Sequence, residues 1–263
     1  MYTTRPDQVI VLAAGMGLRL GALTSDRPKA LVEVAGRTLL EHALRFAARF
    51  GPRETIVVAG FRRDLVHAHL AELAMPGVRL ADNPAFAGGN LASVEAALPH
   101  VDGSFLLTNC DHLFPPDAVP RMAGGFGPGV TAWCEFGREI EPDEMKVVVD
   151  PSGAVLRIAK TLDAFDGGYI GLTHVAAGSL DDYRRGVDVA RRRHGDAAVA
   201  EHVLQALADG GVRVAAASLD GVEWSEVDTP GDLERAERRL ARRAGPCGPA
   251  PAAPIVRTHD AGG

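Results

Sequence analysis

Residues 8–29, QVIVLAAGMGLRLGALTSDRPK, limit what this chain can fold into more than any other stretch. Residues 9–13 are an aliphatic run with no polar alternation, the pattern of a strand buried on both faces of a parallel sheet. Gly15 and Gly17 stop the run, and a loop rich in Gly, Thr, Ser, Asp and Pro follows. Over residues 38–50 the period changes, placing Leu39, Leu40, Ala43, Leu44, Ala47 and Phe50 on one helical face. The first unit is therefore strand, loop, helix.

That unit repeats. Residues 55–59 read as a strand, 63–73 as a helix, 78–81 as a strand, 90–98 as a helix and 105–108 as a further strand ending at Asn109, Cys110 and Asp111. This alternation predicts an α/β fold, a single Rossmann-like sheet, mostly parallel and flanked by helices, with right-handed crossovers. Ligands of such sheets sit beyond the carboxyl ends of the strands, where Gly15, Gly60 and Asp111 fall.

From Val130 the helices drop out, and residues 130–136, 146–149 and 154–158 are strand-like pieces. Asp150-Pro151-Ser152-Gly153 is a turn sequence, so 145–160 reads as a β-hairpin, an antiparallel excursion from which 169–175 returns to the sheet. Helices are expected around 179–193 and 197–208, a strand at 212–217 and a last strand at 224–227. Asp228-Thr229-Pro230 is a helix start with Asp232 in the first turn, and 233–243 a charged surface helix. Residues 1–243 are read as one domain, and the Pro-, Ala- and Gly-rich stretch 244–263 as a disordered tail.

The strand-glycine junction fits neither common phosphate fingerprint. In a dinucleotide-binding GxGxxG the third glycine would precede Gly21 by one place, and the tip of the second strand, Ala59-Gly60-Phe61-Arg62, lacks the ribose-binding acid. A P-loop needs Gly-Lys-Ser/Thr, whereas Lys29 lies between Pro28 and Ala30. Two readings stay open: a loop whose backbone approaches a nucleotide while Arg19 forks onto phosphate and Lys29 adds a point charge, or a tight turn with two surface cations.

Charge narrows the partners. A net charge of −6 offers nucleic acid or an anionic membrane no basic surface, so phosphate chemistry has to rest on local cations. Three cysteines without a CxxC pair suggest neither a disulfide framework nor a zinc site, and a cytoplasmic setting fits them. The first apolar run is too short for a signal peptide, and no segment approaches the roughly 20 apolar residues that span a bilayer. Homo-oligomerisation is left open.

LAAGMGLRL followed by DRPKALVEVAGRTLLEHAL resembles the start of the nucleotidyltransferases that join a phosphorylated sugar or alcohol to a nucleoside triphosphate. Asp82-Asn83-Pro84, Gly89-Asn90, Ser93, Asp111-His112, DEMKVVVDPSGAVLRIAKTLDAFDGGYIGL and WSEVDTPGDL follow in an order similar to that of the CTP:inositol-1-phosphate cytidylyltransferases, so the resemblance spans roughly residues 7–243. It implies a fold of the nucleotide-diphospho-sugar transferase type and transfer of CMP from CTP to a phosphorylated polyol such as inositol 1-phosphate. It also implies Mg²⁺ on Asp111 and Asp228, with Arg19 and Lys29 on the β- and γ-phosphates. Lys29, Lys146 and Lys160 are the chain's three lysines, and one or both of the latter pair are assigned to the α-phosphate or the acceptor phosphate. Ala13, Ala14, Gly15, Gly17, Gly60, Gly88, Gly89, Asn90 and Ser93 would form the nucleotide shell.

Plainer roles compete with each assignment: Asp111 as a turn residue, Asp228 as a helix cap, the two hairpin lysines as solvated charges, Ser93 as a cap and the glycines as turn chemistry. Glu139, Glu141, Asp143, Glu144 and Tyr169 are acceptor-side candidates that a solvated acidic face would equally explain. The same fold could serve a sugar 1-phosphate, phosphocholine, a phosphonate, a molybdenum cofactor or another triphosphate, although 5% aromatic residues disfavour a choline cage. From a different class, a degenerate nucleotide-binding regulatory module is opposed by the joint presence of Arg19, Lys29, Asp111 and Asp228.

Overall fold

The aliphatic run becomes β1 (Gln8–Ala13), buried along its whole length in a computed structural model that describes residues 5–244. Val9, Val11 and Ala13 enter one core, and Ile10 and Leu12 the other. Each such side chain contributes about 1.5–3 kcal/mol on burial, so the alternation fixes β1 between two helical layers. A small hairpin, β2 (Glu33–Val34) and β3 (Arg37–Thr38), leads into α1 (Leu39–Ala48), whose N-terminus is capped by Thr38 Oγ1 accepting from the Glu41 N–H at 3.1 Å. Leu40, Ala43, Leu44 and Ala47 of α1 pack on the Val9 side of the sheet.

The expected repeat then follows as β4 (Glu54–Ala59), α2 (Arg63–Leu73), β5 (Val78–Asp82), α3 (Leu91–Ala97) and β6 (Phe105–Asn109). β1 lies between β4 and β6, and β5 adds outside β4, all in parallel. Short β7 (His112–Leu113) and α4 (Ala118–Met122) connect to β8 (Val130–Glu135). β9 (Lys146–Val149) and β10 (Val155–Ala159) form the expected hairpin, closed where the Asp150 carboxylate accepts from the Ser152 and Ala154 N–H groups.

β11 (Gly167–Val175) joins the halves. It pairs antiparallel with β8 along one edge, and with β6 and β9 along the other, with a register shift between Tyr169 and Thr173. On the second face, α5 (Leu180–His194) and α6 (Ala200–Asp209) pack together before β12 (Val214–Ser218) adds in parallel to β8. α6 starts three residues later than expected because residues 195–197 make a 3₁₀ turn. β12 starts two residues later because the Val212 N–H still bonds the Leu207 carbonyl.

The last strand, β13 (Ser225–Glu226), lies outside the main sheet and pairs antiparallel with β7, which brings it beside Asp111. α7 (Pro230–Ala244) ends the described chain; of the expected tail, residues 245–263 lie outside the described residues. The nine-stranded sheet is thus parallel around β1 and antiparallel around β11, a more evenly mixed sheet than the repeat alone suggested.

Candidate active site

The carboxyl ends of β1 and β6 open into a cavity of about 610 Å³, within the usual range for small-molecule sites. Lys29 reaches it because the chain reverses at Gly17, whose left-handed backbone (φ 72°) leaves no room for a side chain: a Cβ there would lie 2.8 Å from Lys29 Cβ. The Lys29 ammonium is buried between two carboxylates, 2.5 Å from Asp111 Oδ2 and in contact with Asp228 Oδ1. Burial alone would lower its pKa, but Asp111 and Asp228 outweigh it and raise it far above the usual lysine value. Burial would likewise raise Asp111; Lys29 and His112 prevail and hold it well below the ordinary carboxylate range.

Asp228 does not cap α7. Thr229 does so, its hydroxyl accepting from the Asp232 N–H while Asp232 Oδ2 accepts from the Thr229 N–H at 2.7 Å, a reciprocal box that leaves Asp228 to Lys29 and Arg19. Arg19 also approaches Asp143 at 3.6 Å. Asp111 follows the end of β6, and its second oxygen accepts from His112 Nδ1 at 2.6 Å. The His112 ring is buried, stacked on Trp224 with centroids 5.3 Å apart, and its Nε2 would lie 2.6 Å from a Cβ at Gly171, so only glycine fits opposite it.

The hairpin lysines separate. Lys160 lines the cavity. Lys146 is buried and turned away, its ammonium donating to the carbonyls of Pro142 (2.8 Å) and Lys160 (2.9 Å), with Glu141 and Glu144 at 3.4 Å. A buried ammonium so used ties residues 141–144 to the end of β10. If Lys160 holds the acceptor phosphate, as the resemblance implies, Lys160→Ala is expected to raise the acceptor KM at least tenfold with little change in melting temperature, as loss of a charged hydrogen bond of about 1.5–3 kcal/mol requires. Lys146→Met should instead lower stability by about 1–3 kcal/mol, the cost of carbonyls left without donors. Steady-state kinetics beside thermal melts distinguishes the two.

The nucleotide-shell candidates also divide. Ala14, Gly15, Asn90 and Ser93 line the cavity. Ser93 Oγ accepts from the buried Asn83 side chain at 2.9 Å rather than capping α3, and Asn90 Oδ1 accepts from the Ala200 N–H at 2.8 Å, tying α3 to α6. Ala13 is buried in the sheet; Gly60 packs against Ala14 and Phe86; Gly88 and Gly89 lie against the backbone of Asp196 and Ala198. These four and Gly17 do not line the cavity.

Several lining residues escaped the sequence reading. Glu226 on β13 brings a carboxylate within 4.8 Å of ligand atoms of Asp111 and His112, and burial pushes its pKa well above the ordinary value. Glu-Val-Asp at 226–228 was visible, but strand alternation gave no reason to turn Glu226 inward until β13 paired with β7. Glu201 and His202 of α6 line the opposite wall, and no motif marked them. Of the acceptor-side acids, Asp143 and Glu144 reach the cavity, as does Tyr169; Glu144 is bound by Arg138, whose Nε also lies 2.5 Å from Glu135. Cys110 is buried at the cavity edge, where burial raises its thiol pKa and keeps it neutral.

Asp111 and Glu226 lie with His112 within 4.8 Å of one another, and Asp228 shares the Lys29 ammonium with Asp111; these carboxylates suit a hard divalent cation that also takes water and phosphate oxygens, and the set fits Mg²⁺.

Residues 9–221 match the family described as the MobA-like NTP transferase domain. A bifunctional IPC transferase and DIPP synthase from Rubrobacter xylanophilus is 35% identical over 231 residues, 88% of this chain and 51% of that protein. A CMP-5'-(3-aminopropyl)phosphonate synthase from Streptomyces rubellomurinus is 31% identical over 252 residues, 90% of this chain and 39% of that protein. The chain thus spans about half the length, or less, of these curated relatives. The structure of the inositol-1-phosphate CTP transferase from T. maritima superposes with a TM-score of 0.77 at 24% identity, covering 93% of this chain and 99% of that one, which shows a shared nucleotide-diphospho-sugar transferase fold.

Proposed function

The chain belongs to the family of MobA-like NTP transferase domains, and on that premise we propose that it transfers CMP from CTP to a phosphorylated polyol such as inositol 1-phosphate, releasing pyrophosphate. The observation that carries this reading is the convergence of Arg19, Lys29, Asp111, Asp228 and Lys160 on one cavity. The 35% identity to an IPC transferase over most of this chain favours the polyol.

A phosphate monoester, with its second pKa near ~6, is largely dianionic at neutral pH, so its oxygen attacks without a general base. The new bond forms to the α-phosphorus in line with the breaking bond to the β-phosphate oxygen, which departs on pyrophosphate. Rate then depends on position and charge. Arg19 and Lys29 leave Asp228 and Asp111 for the β- and γ-phosphates and hold the leaving group, while Lys160 holds the acceptor phosphate. Asp111, Asp228 and Glu226 would hold Mg²⁺, which when bound neutralises charge on the triphosphate. His112, fixed between Asp111 and Trp224, keeps the Asp111 carboxylate aimed into the site.

A second reading, an aminoalkyl phosphonate acceptor, is favoured by the 31% identity to the phosphonate synthase over 90% of the chain. Pyrophosphate release across four nucleoside triphosphates and a panel of phosphorylated polyols, sugars and phosphonates with Mg²⁺ separates the two. The highest kcat/KM is expected for CTP with a polyol phosphate. A phosphonate that outperforms every polyol reverses the order, and silence across the grid favours the regulatory module.

A further inference from the structure

On α6, facing the cavity that Lys160 enters, Glu201 presents a carboxylate that the fold itself does not use. The helix terminus is already satisfied, because Asn90 Oδ1 accepts from the Ala200 N–H at 2.8 Å and His202 Nδ1 from the Val199 N–H at 3.2 Å. Among the described residues the Glu201 carboxylate has no ion-pair partner. It is not one of the group of Asp111, His112 and Glu226, whose ligand atoms lie within 4.8 Å of one another, although Asp111 and His112 are near enough to act on its charge.

We infer that Glu201 is the specificity residue for the acceptor, its two carboxylate oxygens accepting from hydroxyls of the polyol whose phosphate is held by Lys160. The inference rests on the polyol reading above. An ionised carboxylate only accepts, and its paired oxygens suit adjacent hydroxyl donors. Burial raises the Glu201 pKa, with His112 and Lys160 opposing, and hydroxyl donors would favour the ionised form further. The aromatic neighbours do not form a cage for a quaternary ammonium: Tyr169 Oη is engaged with Thr173 Oγ1 at 2.8 Å, and the Trp224 ring stacks on His112.

The test compares wild type, Glu201→Gln and Glu201→Ala for CTP affinity by calorimetry, and for kinetics with inositol 1-phosphate, its deoxy analogues and 3-aminopropylphosphonate. Glu201→Ala is expected to raise the KM for inositol 1-phosphate by about 10- to 100-fold while CTP affinity holds within about twofold, the loss appropriate to hydrogen bonds from a charged group. One deoxy analogue should be poor for wild type yet equal to inositol 1-phosphate for Glu201→Ala, a convergence that a merely structural role would not produce. Glu201→Gln should fall between the two.

An unchanged acceptor KM in an active enzyme overturns the inference alone. So does a loss confined to 3-aminopropylphosphonate, which would make Glu201 a reader of ammonium, and so does an equal loss of CTP affinity. Wild type that ignores every polyol phosphate overturns the functional reading and this inference with it.

Discussion

Asp111→Asn and Asp228→Asn are each expected to lower kcat by about a thousandfold or more, the effect of removing about 4 kcal/mol of preorganised charge stabilisation. Asparagine is nearly isosteric, and its carbonyl oxygen still accepts from Lys29, so the fold should survive. In Asp111→Asn the same carbonyl can keep the His112 contact or the Lys29 contact, and in Asp228→Asn the Thr229–Asp232 box that starts α7 is untouched. What the substitution removes is a full negative charge beside Glu226, where the cation is proposed to lie. Pyrophosphate release at saturating CTP and Mg²⁺ measures the loss, and circular dichroism with a melting curve checks the fold. Either variant retaining more than a tenth of wild-type turnover would remove that residue from the metal site.

Lys29→Met should be the most destabilising single change in the site. In the absence of nucleotide, the lysine is the cation that lets Asp111 and Asp228 sit together away from bulk water. Leaving such carboxylates without their partner costs about 3–5 kcal/mol. Because the Lys29 pKa is raised, its contribution is complete below the unfolded lysine value of about 10.4 and fades only as pH climbs through the still higher folded value. Because the Asp111 pKa is lowered, its contribution is complete above the unfolded aspartate value of about 3.9 and fades as pH drops toward the folded value. The stability gap between wild type and Lys29→Met should therefore close as pH falls below about 4. Millimolar Mg²⁺ should stabilise the variant more than wild type, since in the variant the ion meets carboxylates without a competing ammonium. Melting temperatures across pH, with and without Mg²⁺, decide it; a variant as stable as wild type at pH 7 would mean that Lys29 does not hold the carboxylates together.

Much of the frame was legible in the chain because short-range rules suffice for it. The aliphatic run of β1, the strand-helix alternation up to β6 and the hairpin around Asp150 to Gly153 each follow from local periodicity or turn chemistry, and each stands as expected apart from shifts of a residue or so at the ends. The register of β11 was not legible. It pairs with three strands from distant parts of the chain, and its nine buried residues lack the alternation that would have indicated which face meets which neighbour. Gly88 and Gly89 read as ligand-facing because glycine is equally at home where a backbone meets a ligand and where it meets another backbone; here it meets Asp196 and Ala198, more than a hundred residues on.

By itself the sequence determined that β1 is a buried central strand, that the chain alternates into an α/β sheet, and that Arg19, Lys29, Asp111 and Asp228 stand at strand ends or loops, the places where such sheets carry chemistry. Local composition and spacing decide these things. Tertiary structure alone decided that Lys29 lies between Asp111 and Asp228, that Lys160 faces the cavity while Lys146 spends its ammonium on backbone carbonyls, and that Glu226 and Glu201 are brought to the same volume. Lys29 meets Asp111 and Asp228 across 82 and 199 residues of chain, and Lys146 meets the Lys160 carbonyl across 14. The direction in which a charged side chain points is set by which carbonyls and carboxylates the packed chain places around it, and no local pattern records that.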